Sequence, residues 1–401
     1  MSSSRRRVIQ LILGALACLG LAYVAGFAAY GFWDDAAYGN GSAEPLAVFW
    51  EAWERIEDHF YGDLPSPQER TYGAIRGALQ LLNDPYTVFV EPQPRELERD
   101  RMRGTFGGIG VELWRDADGR MVLSPHPNSP AEREGLLEGD GLLAVDGQEV
   151  TGATAIDEVR AWVHGEEGTD VTLRISRPPT PPFDVTITRE EIEVPSVAWR
   201  VLDEAPDVGY LHVETFTERT GDEVIAALQN LQTDRAVSAL VLDLRGNAGG
   251  LINPAVTTAS QFLREGVVLI ELSRDAEERS LEVRNGGVAT DIPLAVLVDG
   301  GTASAAEIVA GALQDYGRAP LFGEPTFGKG AVQLIYDLSD GSSLHVTSAI
   351  WLTPNRHRLD GQGLTPDVVV APEDGPGDEQ LDRAVDYLRS QLVVVRSLGD
   401  G

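Results

Sequence analysis

Thiol chemistry has almost no material in this chain. The single cysteine, Cys18, lies in an apolar run near the N-terminus, so disulfide frameworks, thiolate zinc sites and cysteine catalysis are excluded for everything after it. Histidine is sparse as well. The six residues His59, His126, His164, His212, His345 and His357 include no HxxxH or HxH pair, so nothing local supports a metal hydrolase, while a histidine triad gathered from distant positions stays open. Positive charge is also short: 32 Lys and Arg stand against 63 Asp and Glu, and the net −31 repels nucleic-acid phosphates and anionic lipid headgroups. Within that short supply Lys329 is the only lysine, every other basic residue being arginine. Arginine stays protonated to above about pH 12, so a neutral-amine base has one candidate in the whole chain.

With 401 residues, 43% of them hydrophobic, the chain is long enough for about two or three domains with real cores. Arg5, Arg6 and Arg7 precede an apolar stretch over 8–33, and residues 11–33 as a helix would span about 35 Å, enough to cross a bilayer. Basic residues before that stretch and Asp34 and Asp35 after it predict a single-pass anchor with the remainder outside the cytoplasm. A cleaved signal peptide, leaving a secreted or periplasmic protein, is the rival reading. The segment around Cys18 fits a lipoprotein box only loosely.

Helical spacing of apolar residues marks 45–82, and the proline-bearing stretches 83–85 and 91–94 are expected to close that small helical segment. A charged run, 95–103, leads into short strand-like runs at 110–114, 120–123, 141–145, 171–176 and 185–188, with a helix over 155–163. Prolines at 178, 179, 181 and 182 predict a stiff connection between the last two strands. Beyond residue 190 strands and helices alternate: strands at 208–213, 239–244, 267–272, 294–298 and 320–322, and helices at 221–231, 254–263 and 305–314. That order predicts a multi-domain α/β protein with a largely parallel sheet. A hairpin over 332–351, an acidic linker at 372–379 and a last helix at 380–394 complete the expected order. The domains are therefore drawn at 1–33, 34–103, 104–190, 191–371 and 372–401.

Three places carry candidate chemistry. Ser304 stands where an apolar strand ends in glycines and a helix begins, so backbone N–H groups and the positive helix end face whatever it attacks. The alternative is an ordinary helix cap completed by Glu307 three residues on. A second strand ends in the turn Asp243-Leu-Arg-Gly-Asn-Ala-Gly-Gly250; N–H groups of Gly249 or Gly250, with that of Ala305, would make a two-donor oxyanion hole. Asp243 and Arg245 read by themselves as a structural ion pair. Lys329 sits between Gly328 and Gly330, and would need burial against residues such as Phe327 and Val332 to lose its proton near neutral pH. Gln333, four residues on, offers an amide oxygen to orient the amine. The Walker spacing of a phosphate loop is absent.

Together these are the parts of a Ser-Lys acyl-transfer site, and here the sequence resembles the C-terminal processing peptidases, or tail-specific proteases, over residues 48–370. The motifs are the glycine turn above, Gly301-Thr-Ala-Ser-Ala-Ala-Glu307 continuing to Gln314, Thr326-Phe-Gly-Lys-Gly-Ala-Val-Gln333, and Gly361-Gln-Gly-Leu-Thr-Pro-Asp367. The resemblance implies a ClpP/crotonase-like α/β protease core with Ser304 as nucleophile, Lys329 as general base and Gln333 orienting the lysine. It also implies that Asp243, Arg245 and Glu307 organise the site. The chain departs from the family where Ala248 replaces the usual proline and where Thr302 or Ala306 stands in place of serine.

Residues 104–190 resemble the family's inserted PDZ domain. In Thr105-Phe-Gly-Gly-Ile-Gly110, the backbone of Gly107, Gly108, Ile109 and Gly110 matches a carboxylate-binding loop, and the next strand would pair with a peptide by β-augmentation. The implied activity is serine endopeptidase cleavage of extracytoplasmic proteins near C-termini that the PDZ domain engages, without metal or organic cofactor. Two other classes are carried: a non-catalytic PDZ adaptor on a protease-like fold, and a crotonase-like acyl-CoA enzyme. The natural substrate, the oligomeric state and any regulatory partner stay open.

Overall fold

The computed structural model describes residues 43–235, 237–371 and 377–399. The segment expected as a membrane anchor or signal sequence, and most of the acidic linker, lie outside the described residues. Among those described, no helix is long and apolar enough to cross a membrane.

Among the described residues, those up to Ile75 form one unit. It holds helix α1 (Ala43–His59) and the first part of α2 (Pro67–Gln80). Pro67 opens α2, where its missing N–H costs nothing, and Ser66 and Glu69 exchange backbone-to-side-chain bonds of 2.7 and 3.2 Å as a capping box. Arg70 joins the helices: it donates to Glu57 at 2.7 Å and lies 5.4 and 5.0 Å from the Trp50 and Trp53 ring centres.

The second unit runs from Arg76 onward. After strand β1 (Val88–Val90), the stretch expected to end the helical segment instead starts a helix, α3 (Pro92–Arg103), with its prolines in the first turn. Proline is a breaker only where an N–H is needed, and the first helical turn needs none. Gly104, at φ 75°, ends α3.

Next comes an antiparallel sheet with strands β3 (Val111–Arg115), β4 (Met121–Pro125), β5 (Asp140–Val145), β7 (Asp170–Ser176) and β8 (Phe183–Thr188) in the order β3-β4-β5-β7-β8. Strand β6 (Gln148–Glu149) pairs with β5, and helices α4 (Pro130–Arg133) and α5 (Ile156–Val163) accompany the sheet. Alternate residues Val171, Leu173 and Ile175 of β7 point inward with Leu123, Val145, Val159 and Ile187, the period-two pattern of a sheet covered on one face. Strands β2 (Thr105–Gly108) and β9 (Glu190–Glu193), which enter and leave this module, pair with each other as a separate ribbon.

The remaining sheet follows β10 (Val197–Leu202), β11 (Ala205–Val213), β12 (Ala239–Asp243), β15 (Leu294–Val298), β16 (Leu321–Gly323) and β19 (Val368–Val369) in that order. It is parallel from β11 to β19, with β10 antiparallel at one edge. β12 and β15 are buried along their whole length, which is why they read as unbroken apolar runs. One face packs against α6 (Thr220–Gln229), α7 (Ile252–Phe262) and α8 (Ala305–Asp315). The other packs against α9 (Glu379–Gly399) through Ala384, Val385 and Leu388.

The strand expected at 267–272 does not join this layer. As β13 (Val267–Ser273) it belongs to a second sheet, β1-β18-β13-β14, with β14 (Glu278–Glu282), β18 (Ser343–Leu352) and β17 (Ala331–Asp337), which pairs with β18. A short link such as the one between β13 and β14 permits only antiparallel pairing, because a parallel neighbour needs a crossover of a dozen residues or more. The hairpin expected over 332–351 is β17–β18.

α9 docks through a short row of buried side chains, so Leu388→Ala is expected to lower the stability of the parallel layer by about 2–5 kcal/mol. The shift in the urea midpoint, followed by tryptophan fluorescence, measures it.

Candidate active site

The fully buried strand β15 delivers the chain into Asp299-Gly300-Gly301, and Ser304 follows at the start of α8 with φ 52° and ψ −116°. An L-residue there is strained, and the environment must hold it. The main restraint is Glu307, fully buried in the first turn of α8, whose Oε2 accepts the Ser304 N–H at 2.8 Å. This is the carboxylate half of a capping box. The same carboxylate also accepts the Thr326 hydroxyl, the Gly328 N–H at 2.8 Å and the Lys329 N–H at 2.9 Å. One buried charge therefore clamps the serine turn to the lysine loop, and four donors offset its desolvation.

The glycine turn after β12 lies directly against Ser304. A Cβ on Gly249 would come within 2.8 Å of Ser304 Cβ, and one on Gly250 within 2.2 Å of Phe216 O; their φ values are 105° and 135°. Only glycine allows this approach. The Gly249 N–H is already spent on Asn247 Oδ1 at 2.8 Å, so it is not one of the oxyanion donors. The Gly250 and Ala305 N–H groups, which flank Ser304, have no backbone acceptor among the described residues and make a narrower pair than the motif alone defined. Asp243, at the end of β12, accepts from the Arg245 backbone and side chain and from the Tyr210 hydroxyl at 2.7 Å.

Lys329 is half-buried. Its Nζ donates to Gln333 Oε1 at 3.0 Å and lies 5.3 Å from the centre of the Tyr86 ring, while Gln333 Nε2 donates to Tyr86 O at 2.5 Å. Burial pushes the Lys329 amine below its ordinary pKa, against a smaller opposing pull from Glu98. The Lys329 carbonyl accepts from the fully buried Trp351 indole at 3.0 Å. No hydrogen bond joins Ser304 Oγ to Lys329 Nζ in this structure.

Several supporting residues gave no signal of chemistry in the sequence. Asp299 Oδ1 accepts from Gly246, Gly301 and Thr302 N–H groups at 2.9–3.0 Å, stitching the two glycine turns together. Its position before a glycine pair marks an Asx turn, the one clue available. Thr302 Oγ1 donates to Leu244 O at 2.9 Å, a role that threonine fills as well as serine. Thr326 opens the lysine motif but carried no role of its own, and Tyr86 had no clue at all.

No histidine is hydrogen-bonded to Ser304. His345 Nε2 faces Ser343 Oγ at 3.2 Å and Glu98 at 3.3 Å, and His164 stacks on Phe106 at 4.2 Å. Among the described residues no cluster of three metal-ligating side chains occurs.

In the inserted module, Gly107 and Gly108 lie within the β2–β9 ladder, and Gly107 O accepts the Gly165 N–H at 3.1 Å. Ile109 and Gly110 follow the ladder, and their N–H groups have no backbone acceptor among the described residues. A cavity of about 510 Å³ is lined by Thr105, Phe106 and His164 of this module together with Gly246 and Ala248 of the glycine turn.

A strained serine between the N–H groups of Gly250 and Ala305, with a partly desolvated amine on the adjoining loop, makes this an acyl-transferring serine hydrolase. The sequence model of peptidase family S41 matches residues 207–370 and that of the PDZ domain residues 121–177. The chain is 37% identical over 334 residues to the carboxy-terminal-processing protease of Bartonella bacilliformis, covering 81% of this chain and 75% of that one. It is 36% identical over 318 residues to a probable CtpA-like serine protease of Staphylococcus aureus, covering 79% of this chain and 63% of that one. The solved photosystem II D1 C-terminal processing protease is 31% identical, covering 86% of this chain and 98% of its own, with a TM-score of 0.49. The chain belongs to peptidase family S41, the carboxy-terminal-processing serine proteases, and carries a PDZ domain.

Replacing Glu307 by Gln sets an NH2 group against backbone donors at a fully buried position. Glu307→Gln is expected to cost at least about 2 kcal/mol of stability and to lower peptidase activity together with it; chemical denaturation and peptide cleavage on the same preparation check both.

Proposed function

We propose that this chain is an endopeptidase that cleaves extracytoplasmic proteins near their C-termini, held at the cytoplasmic membrane by its N-terminal segment, with Ser304 and Lys329 as the catalytic pair. The observation that carries the reading is the Glu307 carboxylate, which binds the backbone of both residues. A clamp of that kind serves a reaction in which the serine hydroxyl and the lysine amine must meet.

The chemistry follows from the groups present. Ser304 Oγ attacks the scissile carbonyl carbon and gives its proton to the neutral Lys329 amine. The carbonyl oxygen, now an oxyanion, takes hydrogen bonds from the Gly250 and Ala305 N–H groups, assisted by the positive end of α8. The C–N bond breaks as the Lys329 ammonium protonates the leaving amine, and the acyl-enzyme forms. Water, deprotonated by the same amine, then releases Ser304. Gln333 holds the amine by one bond and leaves its lone pair for the proton. The Oγ–Nζ contact of about 2.6–3.2 Å that the transfer requires closes in the substrate complex, as catalytic hydrogen bonds commonly do.

The PDZ domain supplies the choice of chain end. Free N–H groups at Ile109 and Gly110 suit a terminal carboxylate, and the edge strand β3 suits an added peptide strand. The cavity lined by Phe106 and His164 of that module and by Gly246 and Ala248 of the glycine turn supports passage of the same chain toward Ser304. Arginines before the apolar stretch 8–33, with acids after it, support an outward-facing catalytic part.

Ser304→Ala and Lys329→Arg are each expected to lower cleavage of an unstructured peptide with an apolar C-terminus by about 10³-fold or more. Full activity of Lys329→Arg would remove lysine as the base, and full activity of Ser304→Ala would remove the nucleophile.

The pH profile gives a second check. The reactive form is the free amine, so kcat/KM rises with pH, and because burial lowers the Lys329 pKa the plateau arrives below the pH that an exposed lysine would require. A rise that continues to the exposed-lysine range contradicts this.

Amidating the substrate's C-terminus is expected to weaken its binding to the PDZ domain about tenfold. Isothermal titration with matched acid and amide peptides measures the difference.

A further inference from the structure

The glycine turn must aim the Gly250 N–H at one point, yet its sequence is among the most pliable a chain can have. Its shape is therefore imposed by its surroundings. Most anchors lie in the layer the turn grows from: Asn247 Nδ2 donates to Val213 O at 2.8 Å, the Gly246 N–H to Asp299 at 2.9 Å, and the Phe216 N–H to Gly249 O at 2.9 Å. One anchor comes from elsewhere. Arg245, which opens the turn, is gripped by Asp243 on one side and on the other by Asp378, 133 residues later in the chain.

The guanidinium is saturated. Nε donates to Asp243 at 3.0 Å; Nη1 donates to Asp378 Oδ1 at 2.8 Å and to Gln380 Oε1 at 3.0 Å; Nη2 donates to Asp243 Oδ2 at 2.6 Å and to Asp378 Oδ2 at 2.8 Å. All five donors of a planar, rigid group are used, so it has one orientation, and the backbone carrying it is held to match. Asp243 is buried, and Tyr210 takes up its remaining acceptor capacity. Asp378 and Gln380 are themselves fixed. The Leu381 N–H donates to Asp378 Oδ1 at 3.1 Å, Gln380 Nε2 donates to Val370 O at 2.9 Å, and α9 is seated by the buried Ala384 and Leu388.

We infer that Asp378, seconded by Gln380, is a positioning residue for catalysis: acting through Arg245 it sets the oxyanion turn, so the C-terminal helix is a working part of the active site. This rests on the acyl-transfer reading of that site. The acceptors that complete the guanidinium's set come from the far end of the chain, so an enzyme lacking them keeps Ser304 and Lys329 but loses the aim of one oxyanion donor.

The test uses the full chain and an unstructured peptide substrate. Asp378→Asn is expected to lower kcat about tenfold, a fraction of the effect of removing an oxyanion donor outright, with KM unchanged. Affinity for a peptide boronic acid, whose adduct with Ser304 places a tetrahedral oxygen on the two N–H groups, should fall by the same factor, while affinity of the PDZ domain for a C-terminal peptide stays as in wild type. Asp378→Glu should recover part of the loss, and in an Arg245→Met background Asp378→Asn should add nothing.

Leu228→Ala supplies the comparison for stability alone: it opens a cavity under α6, away from Arg245 and α9, and should keep wild-type kcat well below its unfolding temperature. If Asp378→Asn fails to fold, Gln380→Ala removes one acceptor of Arg245, with the bond to Val370 O, and keeps both carboxylates, with an expected loss in kcat of about threefold. Wild-type kcat and boronate affinity in a folded Asp378 or Gln380 variant overturn the inference, as does an equal loss in Leu228→Ala. Cleavage by Ser304→Ala would instead overturn the functional reading beneath it.

Discussion

A single buried carboxylate sets the terms for this active site. Glu307 is held in the first turn of α8, where the helix dipole favours negative charge, and it accepts four hydrogen bonds from donors on two separate loops. A charge buried without partners would cost several kcal/mol, so the fold keeps it only if Ser304, Thr326, Gly328 and Lys329 all stand where their donors reach it. That requirement holds the serine in its unfavourable backbone region and fixes the lysine loop beside it. The strain at Ser304 and the position of Lys329 are thus two consequences of one constraint.

The two sheets divide the work. The parallel layer presents loops at the ends of its strands, and those after β11, β12 and β15 supply Phe216, the glycine turn and Ser304 in one place. The second, antiparallel sheet brings in the amine: Lys329 and Gln333 stand at the entrance to β17, β18 supplies Trp351 behind the lysine, and Tyr86 precedes β1 on the same sheet. The PDZ domain leaves and re-enters through the β2–β9 ribbon, so Thr105 and Phe106 of that ribbon share the walls of one cavity with the glycine turn.

Much of this was legible before any coordinates. A lone lysine among arginines, a serine at a strand-to-helix junction and a glycine pair after an apolar strand are local patterns, and each names a local geometry. The continuous apolar runs of β12 and β15 announced central strands for the same reason. What misled was equally physical. Pro92 and Pro94 read as an end because proline breaks helices, yet in α3 they occupy the first turn, which needs no N–H. Residues 267–272 read as one more strand of the parallel layer because periodicity marks a strand without naming its neighbour. Gly249 looked interchangeable with Gly250 until the Asn247 side chain was seen to occupy its N–H.

The chain's own pattern, then, determined the kinds of chemistry available: one thiol confined to the N-terminal apolar run, one lysine amine, one serine at a strand-to-helix turn, and glycines where backbone must approach backbone. Each follows from residue type and near neighbours, which a linear text contains. The tertiary structure decided who completes whom: that Glu307 serves both loops, that Asp299 joins the two glycine turns, and that Arg245 finds its last acceptors on a helix more than a hundred residues away. Those pairings depend on how sheets stack and where helices dock, and saturation of a buried charge or a five-donor guanidinium is a property of the folded surroundings.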